Sequence, residues 1–350
     1  MLTARELNAA GADVLLLERG QLGGESSWAG GGILSPLYPW RYDDSVNALA
    51  KYSQRIYPLI AQQLLAESDV DPEYNPCGLM VLDQDEIVQA RQWADQWDMS
   101  IDVLGSQQAI KECEPALNSE INQALWLPEI GQMRNPRLVK ALAGSLAEKE
   151  VKVIEHCKVE QLIEKQGLIQ GVETTDKVYK ADRVIVAGGA WSGKIINENV
   201  QQPVIEPVKG QMILFKARRN LLKTMVLSGG RYLIPRRDGR ILTGSTLEHT
   251  DFEKNITEDA MLSLKQSAID MVPELANFEI EHHWAGLRPG TPQGIPYICE
   301  HPAIKGLYIN SGHYRNGVIL GAASAKLMAD LVTGKEAELD MKPYQFEQQH

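Results

Sequence analysis

A short apolar run that ends in a carboxylate, followed by a loop with three consecutive glycines, most constrains the fold of this chain. The run is Val14-Leu-Leu-Leu-Glu18, and the loop reads E-S-S-W-A-G-G-G at 25–32. So short an apolar run is typical of a parallel strand covered on both faces. A carboxylate at the end of such a strand is where dinucleotide-binding folds bind the adenosine ribose hydroxyls. Because glycine lets the backbone approach a flat ligand, the pattern predicts a bound dinucleotide whose reactive ring lies against residues 30–32.

The glycine loop that usually opens such a fold, G-x-G-x-x-G between the first strand and its helix, is not found before this run. The sequence instead begins with helix-forming residues 2–10, which end at Gly11, a common residue at helix C-termini. We therefore expect a dinucleotide-binding fold that lacks its first strand and phosphate loop, and an upstream start is one explanation. The alternative is a terminal helix of a different fold.

Composition narrows the class of protein. With 350 residues, two domains are expected. The net charge of −11 disfavours binding to nucleic acid or to an anionic membrane surface. The four cysteines have no C-x-x-C spacing, which favours reduced thiols in a cytoplasmic protein. No signal peptide and no apolar run long enough to span a bilayer is evident.

Periodicity along the chain predicts alternating helices and strands. Helical spacing of apolar residues is found at 45–66, 85–97, 134–148, 258–271 and 317–332. Asn135 is expected to cap the third of these helices, with Pro136 in its first turn. Strands are predicted at 78–82, 151–155, 159–165, 168–173, 184–188 and 307–311, with further antiparallel strands between 208 and 246.

Five motifs give the chain a resemblance to a known family. They are E-S-S-W-A-G-G-G at 25–32, R-N-P-R-L at 134–138, P-V-K-G-Q-M at 207–212, W-A-G-L-R-P-G at 284–290 and G-H-Y-R-N-G at 312–317. Together they resemble the D-amino-acid-oxidase-like FAD-dependent oxidoreductases, and within them the glycine oxidases of bacterial thiamine biosynthesis.

The resemblance implies a mixed fold, α/β plus α+β. Its FAD-binding domain would be Rossmann-like, of the glutathione-reductase type, without the first strand, and its substrate domain would be built on an antiparallel sheet. We expect the FAD-binding domain to comprise residues 1–43, 134–204 and 289–350. The substrate-binding domain would comprise residues 44–133 and 205–288.

The resemblance also implies the substrate site. An amino-acid oxidase must hold a small zwitterion so that its α-hydrogen faces the flavin, and an arginine fork fixes a carboxylate through two parallel hydrogen bonds. Arg288 is expected to be this anchor, on a shaped loop flanked by glycine and proline, with Arg315 beside it. Tyr232 is expected to contact the carboxylate or to belong to a lid, although a core tyrosine is the alternative. Leu247 and Ile33 are expected to form the walls, with plain core packing as the alternative.

For the cofactor, the resemblance implies contacts from three parts of the chain. Glu18 would accept from the adenosine ribose, and Val159 would contact the adenine. The other expected contacts are Ser26, Ser27, Ala29, Gly30, Gly31, Gly32, Gly188, Gly312, His313, Tyr314, Asn316 and Gly317. The last five open the final helix, whose positive N-terminus suits negative charge on the reduced flavin. No metal site is expected, since His282 and His283 are adjacent and would point to opposite faces of a strand.

The expected reaction is FAD-dependent oxidative deamination of glycine to glyoxylate, ammonia and hydrogen peroxide, with no residue assigned as acid or base. In the resembling family the imine feeds thiazole formation, the enzyme is a homotetramer, and thiazole synthase is a functional partner. Three alternatives remain: oxidation of D-alanine or another D-amino acid, oxidation of sarcosine or of an N-carboxymethyl group on a tRNA base, and a non-catalytic, flavin-poor chain. The acidic pI argues against tRNA.

Overall fold

A computed structural model of the chain describes residues 1–196 and 201–345. Positions 197–200 and 346–350, which fall in the predicted FAD-binding segments, lie outside the described residues. The division of the chain into two domains at the predicted boundaries stays a prediction. The fold class itself is confirmed, because parallel strands packed with helices are combined with a large, mostly antiparallel sheet.

Two small groups of parallel strands lie on one side of the molecule. Their strands, with one antiparallel neighbour, are β1 Leu15–Leu17, β5 Lys152–Ile154, β9 Val184–Val186, β16 Tyr297–Glu300 and β17 Leu307–Ser311. β1 pairs in parallel with β5, and β17 pairs in parallel with β9 and antiparallel with β16. A three-stranded meander completes this side, formed by β6 Val159–Lys165, β7 Leu168–Thr174 and β8 Val178–Lys180.

Strand β1 differs from expectation in its burial. We predicted coverage on both faces, but the side chain of Leu15 is 37% exposed and those of Leu16 and Leu17 are half-buried. The reason is that β1 pairs only with β5 in the part of the chain described here, while residues 15–17 also line the large cleft described below. Glu18 follows β1 directly and therefore stands at the edge of that cleft.

A nine-stranded sheet forms the other side of the molecule. The strand order is β14-β10-β13-β12-β11-β2-β4-β3, and β15 also pairs with β10. Their bounds are β2 Leu79–Val81, β3 Asp102–Leu104, β4 Ala124–Leu127, β10 Glu206–Phe215, β11 Met225–Ser228, β12 Arg231–Pro235, β13 Ile241–Gly244, β14 Glu248–His249 and β15 Ile280–Gly290. Every pairing is antiparallel except that of β2 with β11.

Arg288 therefore lies on a strand and not on the loop that we predicted. Strand β15 pairs with β10 along almost its whole length, with Gly286 opposite Gly210 and Arg288 opposite Val208. Other groups approach the two facing glycines closely, since a Cβ on Gly210 would lie 2.0 Å from Arg288 Nη2 and a Cβ on Gly286 would lie 2.7 Å from Ala29 Cβ, and the pairing continues to Gly290.

The α-helices of the described part are α1 Leu2–Ala9, α2 Ser26–Ala29, α3 Asp44–Ser68, α4 Ile87–Trp97, α5 Gln107–Cys113, α6 Asn135–Glu148, α7 Ser192–Ile195, α8 Glu258–Met271 and α9 Gly317–Thr333. Single 3₁₀ turns lie at Pro39–Arg41, Gln84–Glu86, Gly189–Trp191, Pro273–Asn277, Tyr314–Asn316 and Lys342–Tyr344. Helices α3, α6 and α9 pack together through leucines such as Leu49, Leu142 and Leu327, which are buried. None of these helices has the length and apolar character needed to cross a membrane.

Asn135 does not cap helix α6 as predicted. Arg134 precedes the helix in an extended conformation, and Asn135 is already its first residue. The side chain of Asn135 instead donates from Nδ2 to the carbonyl of Ser27 over 2.7 Å. A local capping rule could not reveal this contact, which fixes the start of α6 to the segment just before the three glycines.

Candidate active site

A cleft of about 1350 Å³ lies between the parallel strands and the nine-stranded sheet. From one side it is lined by Glu18, the segment 22–33, Val159, residues 184–189 and the turn that opens α9. From the other side it is lined by Gly210, Met212, Tyr232, Ser245, Gly286 and Arg288. Predicted cofactor-binding residues and predicted substrate-binding residues therefore line the same cleft.

The cleft brings together all the predicted site residues except Leu247 and Gly312. Leu247 is 48% exposed, because its neighbour Thr246 is held inward by its hydrogen bonds and the alternating chain turns Leu247 to solvent. Gly312 adopts φ +87°, and a Cβ there would lie 2.5 Å from Thr291 Cγ2. Its place is thus in the turn after β17, facing Thr291.

The loop of three glycines packs so tightly that side chains are excluded. Gly32 adopts φ +81°, and a Cβ there would lie 1.9 Å from the carbonyl oxygen of Met133. A Cβ on Gly30 would lie 2.7 Å from Asn135 Nδ2. Arg236 donates to the carbonyl of Gly31 over 2.8 Å, and burial lowers the pKa of Arg236 to about 10. Contacts with Met133, Asn135 and Arg236 therefore fix the backbone of this loop, which also lines the cleft.

Unpaired polar atoms in the cleft test whether a dinucleotide fits. Asn135 Oδ1, Asn310 Oδ1 and Asn316 Nδ2 are buried and have no hydrogen-bond partner among the described residues, and all three asparagines line the cleft. A buried polar group without a partner costs about 1–3 kcal/mol. Spread along the cleft, these atoms suit a long ligand rich in donors and acceptors, and FAD meets that description.

The turn that opens helix α9 lines the same cleft. Tyr314, Arg315 and Asn316 form a 3₁₀ turn, and α9 begins at Gly317. His313 lies beside them, and its Nε2 is 2.9 Å from Ser324 Oγ. Burial lowers the pKa of His313 to about 4, so this imidazole is neutral at pH 7. The local positive charge at this end of the cleft therefore comes from Arg315 and the helix N-terminus.

Arg288 carries a half-buried charge that no carboxylate of the described residues neutralises. Its Nη1 donates to the carbonyl oxygens of Lys209 at 3.2 Å and Thr246 at 3.3 Å, and its Nη2 donates to Ser245 Oγ at 2.6 Å. None of these acceptors is charged, and within the described ranges Arg288 forms no salt bridge. Burial lowers the pKa of Arg288, and the charge of Arg315 lowers it further. An anionic ligand would relieve both effects.

Tyr232 faces the same space as the two arginines. Tyr232 is 7% exposed, and among the described residues its hydroxyl donates to Met212 Sδ alone, at 3.9 Å. Sulfur is a weak acceptor, so the hydroxyl is left to donate to a ligand oxygen. A Cβ on Gly31 would lie 3.2 Å from the Tyr232 ring, which places Tyr232 between the glycine loop and Arg288.

Several residues that shape the site were missed by the sequence analysis. They are Asn135, Gly210, Arg236, Ser245, Thr246 and Asn310. Gly210 is notable because a Cβ there would lie 2.0 Å from Arg288 Nη2. The motif P-V-K-G-Q-M at 207–212 contains Gly210 and was a signal, but its spacing alone gave it no role.

Comparison with known proteins identifies the family. The model of the family described as "FAD dependent oxidoreductase" (DAO) matches residues 1–331. The chain belongs to this DAO family of FAD-dependent oxidoreductases.

The glycine oxidase of Pseudomonas putida is 47% identical over 98% of this chain and 94% of its own length. The crystal structure of glycine oxidase from Geobacillus kaustophilus superimposes with a TM-score of 0.94 at 27% identity, covering 100% of this chain and 95% of that one. A bifunctional protein ThiO/ThiG of Trichormus variabilis is 29% identical over 96% of this chain and 51% of its length.

These findings make the chain an FAD-dependent amino-acid oxidase. They confirm the predicted cofactor, and they leave the role of each individual residue in the cleft as a proposal. In the oxidase, the residues that would hold FAD are Glu18, the glycine loop with Asn135, and the turn that contains Asn316.

Replacing Glu18 with Gln should weaken FAD binding by the oxidase. Glu18 Oε1 accepts from the amide of Gly20 at 2.8 Å, and the side chain lines the cleft. Gln keeps that acceptor but loses the negative charge that would accept from a ribose hydroxyl. A hydrogen bond to a charged group contributes about 1.5–3 kcal/mol, so Kd for FAD should rise about tenfold or more.

Titration of the flavin-depleted protein with FAD, followed by flavin fluorescence, measures this Kd. The matched control is Glu336→Gln, since Glu336 is exposed and does not line the cleft. An unchanged Kd for the Glu18 variant would show that Glu18 does not contact the cofactor.

Proposed function

We propose that this oxidase acts on glycine and produces glyoxylate, ammonia and hydrogen peroxide from glycine, dioxygen and water. The observation that carries the proposal is the half-buried guanidinium of Arg288, which has no carboxylate partner in the described structure and lines the same cleft as the glycine loop. A planar guanidinium binds a carboxylate through two parallel hydrogen bonds and thereby fixes its orientation. The carboxylate of a free amino acid is such a ligand.

The space between the anchor and the loop favours a small substrate. A Cβ on Gly31 would lie 2.9 Å from Ile234 Cδ1 and 3.2 Å from Tyr232 Cε2, so loop and sheet approach closely here. Ile33 is buried at the same place. Glycine has no side chain to accommodate, and the relatives named glycine oxidase support the same choice.

The residues of the chain contribute binding and orientation. When bound, FAD supplies the acceptor for the α-hydrogen and later passes the electrons to dioxygen. Arg288 would hold the substrate carboxylate, with Arg315 as the second positive charge and Tyr232 as a hydroxyl donor. When the carboxylate is bound in one orientation, the position of the α-carbon is set as well. Positioning the reacting atoms in this way is the main contribution of the protein. We assign no residue as a general acid or base.

Rates of peroxide formation with three substrates test the choice of glycine. We expect kcat/KM to be higher for glycine than for sarcosine or D-alanine, because the one additional methyl group of each must fit beside Tyr232 and Ile33. A higher kcat/KM for D-alanine or sarcosine than for glycine would overturn the assignment and leave the oxidase activity in place.

Replacing Tyr232 with Phe should raise KM for glycine about tenfold or more, since a hydrogen bond to a charged carboxylate contributes about 1.5–3 kcal/mol. The flavin spectrum should stay the same, because the ring that packs against Gly31 is retained. Steady-state kinetics with glycine measures the change. A KM equal to that of the wild type would remove Tyr232 from the substrate site.

We also propose that the imine formed from glycine is used for thiazole formation, which the resemblance implies and the ThiO/ThiG relative supports. A bacterial strain that needs added thiazole because it lacks its own oxidase should grow without it when it carries this chain. The Arg288→Met variant should not restore growth. Growth with both forms, or with neither, would contradict the link.

Two further properties belong to the same proposal. A homotetramer is implied by the resemblance, and sedimentation of the purified protein measures it. A cytoplasmic location is supported by the four cysteines, whose spacing contains no C-x-x-C pair and favours reduced thiols.

A further inference from the structure

The acceptors that hold Arg288 come from two separate parts of the chain. One is the carbonyl of Lys209 on strand β10, and the others are Ser245 Oγ and the carbonyl of Thr246, which follow strand β13. A carbonyl oxygen moves only with its backbone. The direction of the guanidinium therefore depends on the position of strand β10 relative to residues 245–246, and on the contacts that fix this relative position.

A buried polar cluster behind the cleft does this. On β10, Gly210 and Met212 line the cleft, whereas the alternate side chains of Lys209 and Gln211 are 6% and 0% exposed and do not line it. Lys209 Nζ lies 2.8 Å from Glu248 Oε2, and Gln211 Nε2 donates to Glu248 Oε1 at 2.9 Å. Thr246 Oγ1 donates to the same Oε1 at 2.5 Å.

Gln211 is the centre of this cluster. Its backbone amide donates to Thr246 Oγ1 at 2.8 Å, and its side-chain oxygen accepts from the amide of Thr257 at 2.9 Å. Although burial raises the pKa of Glu248, hydrogen bonds from Lys209, Thr246 and Gln211 lower it on balance, so the carboxylate is ionised. Gln211 thus joins β10 to both ends of the segment 246–257, through its backbone amide at Thr246 and its side-chain oxygen at Thr257, while its side-chain nitrogen holds Glu248.

The middle of that segment is fixed to the cofactor side of the cleft. The Phe252 ring lies 5.4 Å from that of Trp191, and Lys194 Nζ lies 3.6 Å from the Phe252 ring centroid. Lys254 Nζ is 2.8 Å from Glu25 Oε2. The segment is therefore held at its ends and in its middle, so Thr246 has little freedom once Gln211 is in place.

We propose that Gln211, acting with Lys209 and Glu248, is a positioning residue for carboxylate binding by Arg288. The inference rests on the proposed role of Arg288 as the carboxylate anchor. Gln211 touches neither substrate nor cofactor. It sets the direction of the guanidinium through the carbonyls of Lys209 and Thr246.

The test uses Gln211→Leu, which keeps the approximate volume and removes both side-chain hydrogen-bonding groups. The readout is Kd for glycolate, a carboxylate of the size of glycine without its amine, measured from the change it causes in the flavin spectrum of the holoenzyme. We expect Kd for glycolate and KM for glycine each to rise about tenfold, which is about 1.4 kcal/mol, with kcat within about twofold, because residues of one hydrogen-bond network are energetically coupled.

Two controls separate positioning from general destabilisation. Ser106 caps the remote helix α5, because its Oγ accepts a hydrogen bond from Ala109 N at 3.2 Å. Ser106→Ala removes this cap and should lower Tm without a change in Kd for glycolate. In the Arg288→Met background, Gln211→Leu should cause no further change in Kd. A second variant, Glu248→Gln, keeps the shape of the cluster and should raise Kd in the same direction by a smaller factor.

The inference is overturned if Gln211→Leu leaves Kd for glycolate unchanged, or if it raises Kd equally when Arg288 is already replaced. A failure of the proposed function has a different signature, since Arg288→Met itself would then leave Kd unchanged.

Discussion

Replacing Arg288 with Met should lower kcat/KM for glycine by about 10²–10³-fold, because removing one partner of a buried, hydrogen-bonded charge pair costs about 2–5 kcal/mol. The unbranched side chain of Met retains the apolar stem of Arg288 but ends short of the guanidinium, which lies over Gly210. What is lost is the fork that donates to the carboxylate. Arg288→Lys should recover only part of the activity, because an ammonium group cannot form two parallel hydrogen bonds.

Oxygen consumption with glycine as the substrate measures this effect. The matched control is Arg218→Met, since Arg218 is exposed and its ion pair with Glu274 lies away from the cleft. The Arg288 variant should keep its flavin spectrum, because no predicted cofactor contact depends on this side chain. If kcat/KM falls less than about fivefold, the carboxylate is bound elsewhere, since a fivefold change is about 1 kcal/mol.

Replacing Gly32 with Ala should destabilise the protein and deplete it of flavin. The new Cβ would lie 1.9 Å from the carbonyl oxygen of Met133, at a φ of +81°. Overpacking costs about 1–3 kcal/mol, and a positive φ adds about 1 kcal/mol, so the free energy of unfolding should fall by about 2–4 kcal/mol. Because the backbone at Gly32 and the backbone at Met133 cannot move apart without a cost in free energy, the glycine loop should be displaced from its position in the cleft.

Urea unfolding and the flavin content after desalting measure the two consequences. The control is Gly334→Ala at the end of helix α9, where φ is +71° and nothing lies within 4 Å of the added Cβ. That variant should lose only about 1 kcal/mol and keep its flavin. Equal losses for both variants would mean that backbone conformation alone, and not the contact with Met133, makes Gly32 necessary.

The sequence could predict features that depend on local patterns. Helices α3, α6, α8 and α9 have regular apolar spacing, and alternation of residues predicted antiparallel strands between 208 and 246, of which β12 is one. The three glycines and the carboxylate after β1 are adjacent in the sequence, so their proximity required no knowledge of the fold. The positions of Arg288 and Arg315 came from motifs that resemble a family.

Features that depend on distant contacts could not be predicted. Gln211 and Glu248 are 37 residues apart, and the parallel pairing of β2 with β11 places Leu79 opposite Met225, two residues that are far apart in the sequence. The contact of Asn135 with Ser27 overrides a local capping preference. Leu247 was expected in a wall, but the hydrogen bonds of its neighbour Thr246 turn it outward.

Anaerobic addition of glycine to the purified, desalted protein, followed by the visible absorbance of its flavin, tests the central claim most directly. We expect absorbance that survives desalting, because the cleft holds FAD, and bleaching on addition of glycine that is lost in the Arg288→Met variant. A colourless preparation that takes up no added FAD, or a bound flavin that glycine does not bleach, would contradict the account.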